Sequence, residues 1–417
     1  MPAVGARGRP HGSRAALPTH RAPGPGIDHT GWVVDPFAPV SLGPLRLRNR
    51  FLKAATFEGR SPDGMVTDEL LEFHGRMADG GVAMTTVAYL AVSREGRGAP
   101  GEIVVEPAAV DGLRRLVESV HARGALASAQ LGHAGPVAMA TGGAPLAPSR
   151  VLSMAALRPT RPATQGDLGR VIADFDRSAG LIVEAGFDAI EVHVGHGYLL
   201  SSFLSPRLNR RHDEWGGSVA RRAELARRVL GAVRRRVGAG VAVLAKLNML
   251  DGVRGGLEMY DALEVARLIE ADGTVDALVL TGGSSFQNPM FLLRGEVPTR
   301  ELAANFAWPI RVGMHLAGGR FLRRYPFAEG FFLEQAARFR AELSMPLVAL
   351  GGINRLETVQ SALDSGFEFV ALGRALLHEP SLVQRWASGD RRNGGCIHCN
   401  RCVPTIYTGT RCPEVGE

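Results

Sequence analysis

The sequence predicts an α/β protein of the (β/α)8 class, a closed parallel TIM barrel. Two observations carry the prediction. From about residue 50 onward, eight short and nearly uniformly apolar runs occur, most of them carrying Gly, Thr, His or Asn at or near their end. Between them lie longer stretches with helical period and their own start and stop signals. Runs of Val, Ile and Leu without polar alternation suit a parallel sheet covered by helices on its outer face. Eight such units in about 340 residues close a barrel, with a doubly wound open sheet as the alternative.

The strands are expected at 51–56 (FLKAAT), 82–92, 125–133, 189–196 (AIEVHVGH), 241–249 (VAVLAKLNM), 277–283, 346–353 and 369–375. Helices are expected at Asp68–Asp79, from Glu106-Pro107 to Arg123, Asp167–Ala185, after Ser218 to Val237, Glu258–Ala271, Glu329–Leu343, Asn354–Ser365 and Pro380–Ala387. Several stop at a glycine: Gly186, Gly238, Gly273 and Gly366. The long insertions at 93–106, 134–166, 197–217 and 284–328 each follow a strand and precede a helix. They therefore gather on the face where barrel enzymes keep their sites.

Three segments follow: a disordered leader over 1–30, rich in Pro, Gly, Arg and His; the barrel over 36–390; and a cysteine-bearing tail over 391–417. The leader lacks the apolar stretch of a signal peptide. No apolar run approaches the roughly 20 residues that span a bilayer. The formal charge of +7 fits a phosphate-bearing cofactor or, more simply, arginine-rich helix faces such as 221–237. No aromatic-interleaved basic motif points to nucleic acid. All four cysteines, Cys396, Cys399, Cys402 and Cys412, stand in the tail. A disulfide framework would spread them over the fold, so they indicate a reducing, cytoplasmic compartment or a local metal site.

In a barrel the informative residues are polar ones at the C-terminal strand ends. These are Thr56; Gln130 and His133; His193, His196 and Tyr198; Lys246 and Asn248; Gly351 and Gly352; and Gly373 and Arg374. Glycines let backbone N–H groups approach a ligand, and a helix N-terminus favours an anion. Gly351, Gly352, Gly373 and Arg374 thus read as a phosphate cup or as plain tight turns. Lys246 lies in an apolar strand and needs a partner: a cofactor, a Schiff-base substrate or an ion pair. His193 and His196 could be zinc ligands, but no convergent acidic ligands accompany them.

The segment HVGHGYLLSSFLSPRLNRRHDEWGGSVARRAEL (193–225), with LRLRNRFLKAATFEGRSPDGMVTDEL (45–70), AQLGHAG (129–135), GGI (351–353) and ALGRALLHEP (371–380), resembles the Old Yellow Enzyme family over about residues 36–404. The resemblance implies FMN at the barrel mouth and NAD(P)H as reductant. It implies Ala55, Thr56, Ala88 and Gln130 against the flavin ring, and Gly351, Gly352, Gly373 and Arg374 at its phosphate. Lys246 takes the place of a basic residue, more often arginine, near the flavin pyrimidine. An α,β-unsaturated carbonyl substrate would then meet His193 and His196 through its oxygen and Tyr198 as proton donor. Flavin reductases, oxidases or amine-oxidising members acting on other acceptors are the alternative. Oligomerisation stays open.

The tail spacing C-x2-C-x2-C-x9-C is similar to that of the family's iron–sulfur branch, which resembles 2,4-dienoyl-CoA reductase, although two gaps differ. It implies a [4Fe–4S] cluster or zinc, with free thiols as the alternative. The chain ends at Glu417 without that branch's large pyridine-nucleotide domain, so electrons are expected from free NAD(P)H or a partner protein.

Overall fold

The computed structural model describes residues 34–415 except 140–141, 154, 286 and 306–307. The expected leader, 1–30, lies outside the described residues. Eight parallel strands close a barrel in chain order: β1 Phe51–Lys53, β2 Met84–Ala91, β3 Leu126–Gly132, β4 Ala189–Val194, β5 Ala242–Asn248, β6 Ala277–Thr281, β7 Leu347–Leu350 and β8 Phe369–Leu372. β8 pairs back onto β1 through Val370–Phe51, Ala371–Leu52 and Leu372–Lys53. Every strand expected from the sequence is present.

The covering helices are α1 Asp68–Asp79, α2 Val110–His121, α3 Gln165–Glu184, α4 Val219–Val237, α5 Met259–Asp272, α6 Leu333–Glu342, α7 Leu356–Asp364 and α8 Leu382–Ala387. Side-chain caps set three of the starts. Thr67 accepts from the Leu70 N–H before α1, and Ser218 from the Arg221 N–H before α4. α3 begins two residues earlier than expected because Thr164 and Asp167 form a reciprocal capping box, which makes Asp167 the third helical residue. The stretch 106–123 opens with a 3-10 turn, Pro107–Ala109, before α2.

Every strand ends sooner than the sequence suggested, and β1, β7 and β8 do so by three residues. β1 stops at Lys53, where the Ala54 N–H still donates to Leu372 O (2.8 Å), so Ala55 and Thr56 lie in the loop beyond it. β7 stops at Leu350, and Gly351 and Gly352 take positive φ. A Cβ on Gly351 would sit 2.6 Å from Phe332, and one on Gly352 2.4 Å from Phe331. Close aromatic packing against the strand end is thus one sufficient reason for both glycines.

An antiparallel hairpin, Val40–Leu42 with Leu45–Leu47, plugs the bottom of the barrel. Leu42 and Leu47 are fully buried and join Leu52, Leu244, Val279 and Phe369 in one apolar cluster. At the opposite end, the second half of the 193–225 segment is a brace. Asn209 Nδ2 donates to Phe203 O and Trp215 O, both at 2.7 Å. Arg211 pairs with Asp213 and reaches the carbonyls of Pro148 and Ala163 in the 134–166 insertion.

The arginines of α4 pair with carboxylates on neighbouring elements: Arg222 with Asp261, Arg227 with Asp272, Arg234 with Asp276 and Arg236 with Asp176. The basic run is a laced barrel flank. No described helix is long and apolar enough to cross a membrane.

Leu47→Ala removes a fully buried side chain from the plug and should cost about 2–5 kcal/mol. Urea unfolding monitored by circular dichroism measures this, and a loss under about 1 kcal/mol would show that the plug does not seal the barrel.

Candidate active site at the barrel mouth

In each strand, every second side chain points into the barrel. Near the C-terminal end this brings together Gln130 of β3, Glu191 of β4 and Lys246 of β5. Glu191 Oε1 accepts from Gln130 Nε2 (2.6 Å) and from Lys246 Nζ (2.8 Å), and all three residues are buried. Lys246 therefore has an ion-pair partner. Glu191 stood unnoticed inside the apolar run Ala189-Ile190-Glu191-Val192.

A second buried pair stands beside it. Lys53 Nζ lies 2.9 Å from Glu58 Oε1 and donates to Thr86 O (3.1 Å). Burial draws the Lys53 ammonium below its ordinary pKa. Burial raises Glu58, but Lys53 and His74 outweigh it and hold the carboxyl below the usual range. The same carboxylate accepts the Ala88 N–H at 3.2 and 3.1 Å. Lys53 and Glu58 also escaped the sequence reading. Period-two alternation from Lys53 could have flagged the lysine.

Above this layer stand His193, His196 and Tyr198. The ring centroid of His193 lies 5.0 Å from that of His196 and 4.6 Å from that of Tyr198; Tyr89 lies 5.4 Å from Tyr198. His196 has φ +60°, held by its N–H donating to Asn248 Oδ1 (3.0 Å), and its Nε2 meets Thr281 Oγ1 at 2.9 Å. Asn248 is itself fixed by donating to Gly283 O (2.8 Å) and Asp251 Oδ1 (3.0 Å). Tyr89 donates to Gly96 O (2.8 Å), and Gly132 leaves room for its ring, since a Cβ there would lie 2.3 Å from Tyr89 Cε2.

Burial pushes His193 far below its ordinary pKa, aided by the adjacent His196 and Lys246. Burial and Lys246 bring His196 down to about 3. Both imidazoles are neutral at pH 7 and can each donate one N–H. His193 Nδ1 and Thr56 Oγ1 are buried, and among the described residues neither finds a hydrogen-bond partner. Two orphaned polar atoms at one mouth mark a place for a polar ligand.

At the strand 8 end, Gly373 precedes a short helix, Arg374–His378. A Cβ on Gly373 would meet nothing nearer than Thr56 Cγ2 at 3.8 Å. Arg374 donates to Asn400 Oδ1 and to Arg294 O, so the tail takes part in positioning it. Cys396, Cys399, Cys402 and Cys412 line one pocket with Arg374 and His378. Cys412 Sγ lies 3.5 Å from His378 Nδ1, and Cys396 Sγ 3.8 Å from His398 Nδ1. Burial raises the Cys396 thiol and lifts Cys402 to about 12. Among the described residues, no three His, Cys, Asp or Glu side chains converge as a ready metal-binding group.

The family model described as NADH:flavin oxidoreductase / NADH oxidase matches residues 35–281. The chain belongs to this family. It is an oxidoreductase, an FMN flavoprotein that works with NAD(P)H, as the resemblance to Old Yellow Enzyme implied. It is 55% identical over 378 residues to the 4,4'-dithiodibutanoate disulfide reductase of Rhodococcus erythropolis, covering 90% of this chain and 94% of the relative. Its fold matches an old yellow enzyme homologue from Zymomonas mobilis with TM-score 0.69 at 22% identity, over 91% of this chain and 98% of that one. It also matches 2-naphthoyl-CoA reductase with TM-score 0.77 at 22% identity, over 90% of this chain but only 56% of that one.

Burial brings His133 down to about 4. With His196 at about 3 and unfolded histidines near 6.5, the unfolded chain binds more protons than the folded one below pH 6.5. Stability is then greatest above pH 6.5 and falls as pH drops toward 4. His133→Gln should lessen the loss of urea midpoint between pH 7 and pH 4.5. An undiminished loss would mean that His133 is protonated in the folded protein.

Proposed function

We propose that the protein carries reducing equivalents from NAD(P)H through FMN to a small acceptor held against His193, His196 and Tyr198. The observation carrying this is the His193–His196–Tyr198 ring cluster with an unmatched buried nitrogen, above the Gln130–Glu191–Lys246 layer. The unpartnered Thr56 hydroxyl, Gln130 and Lys246 fit the flavin ring, whereas the Ala88 N–H expected there is taken by Glu58. Gly351, Gly352, Gly373 and Arg374 fit its phosphate. FMN supplies two-electron hydride chemistry when bound.

The residues supply the rest. The neutral histidines donate hydrogen bonds to an acceptor atom where negative charge grows. Their neutrality matters, because an imidazolium there would repel Lys246. Tyr198, half-buried against His193 and Tyr89, holds a proton at its hydroxyl and releases it to the reduced acceptor. With an α,β-unsaturated carbonyl, hydride adds at the β-carbon and Tyr198 protonates the α-carbon.

The 55% identical disulfide reductase favours a second acceptor, a small aliphatic disulfide. There the S–S bond breaks, one sulfur takes hydride to become a thiol, and the departing thiolate takes the Tyr198 proton. One NAD(P)H and one proton yield two thiols.

The test is anaerobic reduction by NADH or NADPH, then reoxidation by cyclohexenone, 4,4'-dithiodibutanoate, an enoyl-CoA and oxygen in parallel. Tyr198→Phe should leave flavin reduction nearly intact and slow reoxidation by the preferred acceptor about 10²–10⁴-fold, the usual range for a lost general acid. Unchanged reoxidation removes Tyr198 from that role.

The tail cysteines carry a separate proposal, a [4Fe–4S] cluster or zinc at Cys396, Cys399, Cys402 and Cys412. The four sulfurs share one pocket, and a cation that displaced their protons would relieve the burial that raises Cys402. Iron, sulfide and zinc analysis of anaerobically purified protein tests it; a folded, active, metal-free protein overturns it.

A further inference from the structure

Glu191 belongs to none of the roles above, yet it is the group on which two of them converge. Its Oε1 accepts simultaneously from the Gln130 amide nitrogen and the Lys246 ammonium. Register explains the convergence. Glu191 stands opposite Gln130 on one neighbouring strand and opposite Leu244 on the other, where Lys246 lies two residues further along, opposite His193. The carboxylate is only 4% exposed, so water competes little for either bond.

We propose that Glu191 is a positioning residue that sets the hydrogen-bond polarity and the charge presented to the flavin. This rests on the reading that FMN lies over this layer. An ionised carboxylate only accepts hydrogen bonds. It draws the Gln130 NH2 to itself and leaves the Gln130 carbonyl oxygen as the free end of the amide. A residue able to donate would allow the opposite orientation.

The same carboxylate offsets Lys246. An unpaired ammonium in this buried layer would stabilise an anionic reduced flavin strongly, whereas a pair presents a much weaker field. Lys53 stands near Lys246 but is held by Glu58, so it does not substitute for the missing charge. Glu191 thus tempers the oxidising power of the site instead of only filling space.

The test is Glu191→Gln in the flavin-loaded protein, with Glu191→Asp as the charge-conserving control. Three properties are read: flavin content, the flavin midpoint potential by dye-coupled titration, and sulfite affinity from flavin absorbance. The proposal expects Glu191→Gln to shift the two-electron equilibrium toward reduced flavin by at least tenfold, about 30 mV more positive. Sulfite, whose adduct is anionic, should bind at least tenfold more tightly. Glu191→Asp should stay near wild type in both. A Glu191→Gln protein with lowered thermal stability but unchanged potential and sulfite affinity would show a packing role only and overturn the proposal.

If Glu191→Gln fails to fold, Glu191→Ala removes the same charge with less bulk and should raise the midpoint potential and tighten sulfite binding in the same direction, again by at least tenfold. A folded Glu191→Ala protein with unchanged potential and sulfite affinity overturns the proposal. Wild-type protein that binds no FMN would instead overturn the functional reading on which the proposal rests.

Discussion

The structure depends on placing two lysine–carboxylate pairs inside a barrel that is otherwise apolar. Lys246–Glu191 and Lys53–Glu58 stand in one layer between the hydrophobic plug and the open mouth. A buried ion pair contributes little net stability, because desolvation offsets most of its attraction. Breaking one side leaves an uncompensated charge and is far more costly. The pairs are therefore better understood as determinants of the site's electrostatics than as sources of stability. Their charges also explain the histidines above them, since a positive Lys246 helps to keep His193 and His196 neutral.

The mouth is built in tiers, each holding the next. Asn248 and Thr281, from β5 and β6, fix the left-handed backbone and the ring of His196. Asn209, Arg211 and Asp213 hold the loop that follows against the 134–166 insertion. The long segment that most resembles a known family thus splits into two jobs. Its first six residues face the mouth, and its second half is scaffolding that keeps them there.

The barrel itself was legible because buried parallel strands are apolar throughout and helices announce their ends with caps and glycines. All eight barrel strands were found, with errors at their boundaries, where Thr164 capped α3 early and Phe331 and Phe332 packed against the glycines after β7, while the Val40–Leu47 hairpin and the insertion helices Leu199–Leu204 and Trp308–Phe321 went unread. His193, His196, Tyr198 and Lys246 could be placed by strand position alone. Glu191, Lys53 and Glu58 could not, because pairing depends on register between strands distant in sequence. The run AIEVHV reads as a strand whichever face its glutamate takes. Only the neighbouring Gln130 and Lys246 reveal that the carboxylate points inward.

The tail shows the same limit and its consequence. Four cysteines crowded into one segment were plain, but their place in the fold was not. The tail crosses several loops of the barrel mouth. Thr410 binds Phe57 O and Glu58 O, Asn354 binds Gly394 O and Cys396 O, and Asn400 binds Arg294 O and Arg374. Gly59 leaves the space it needs, since a Cβ there would lie 2.2 Å from Ile406 O. The backbone carbonyl of Glu58 anchors the tail while its carboxylate holds Lys53 and the Ala88 N–H. One residue therefore joins the buried charge layer to the cysteine segment. A shift of the tail would act directly on Arg374 through Asn400 and on the charge layer through Glu58, so the segment that carries the four sulfurs is tied to the geometry of the mouth.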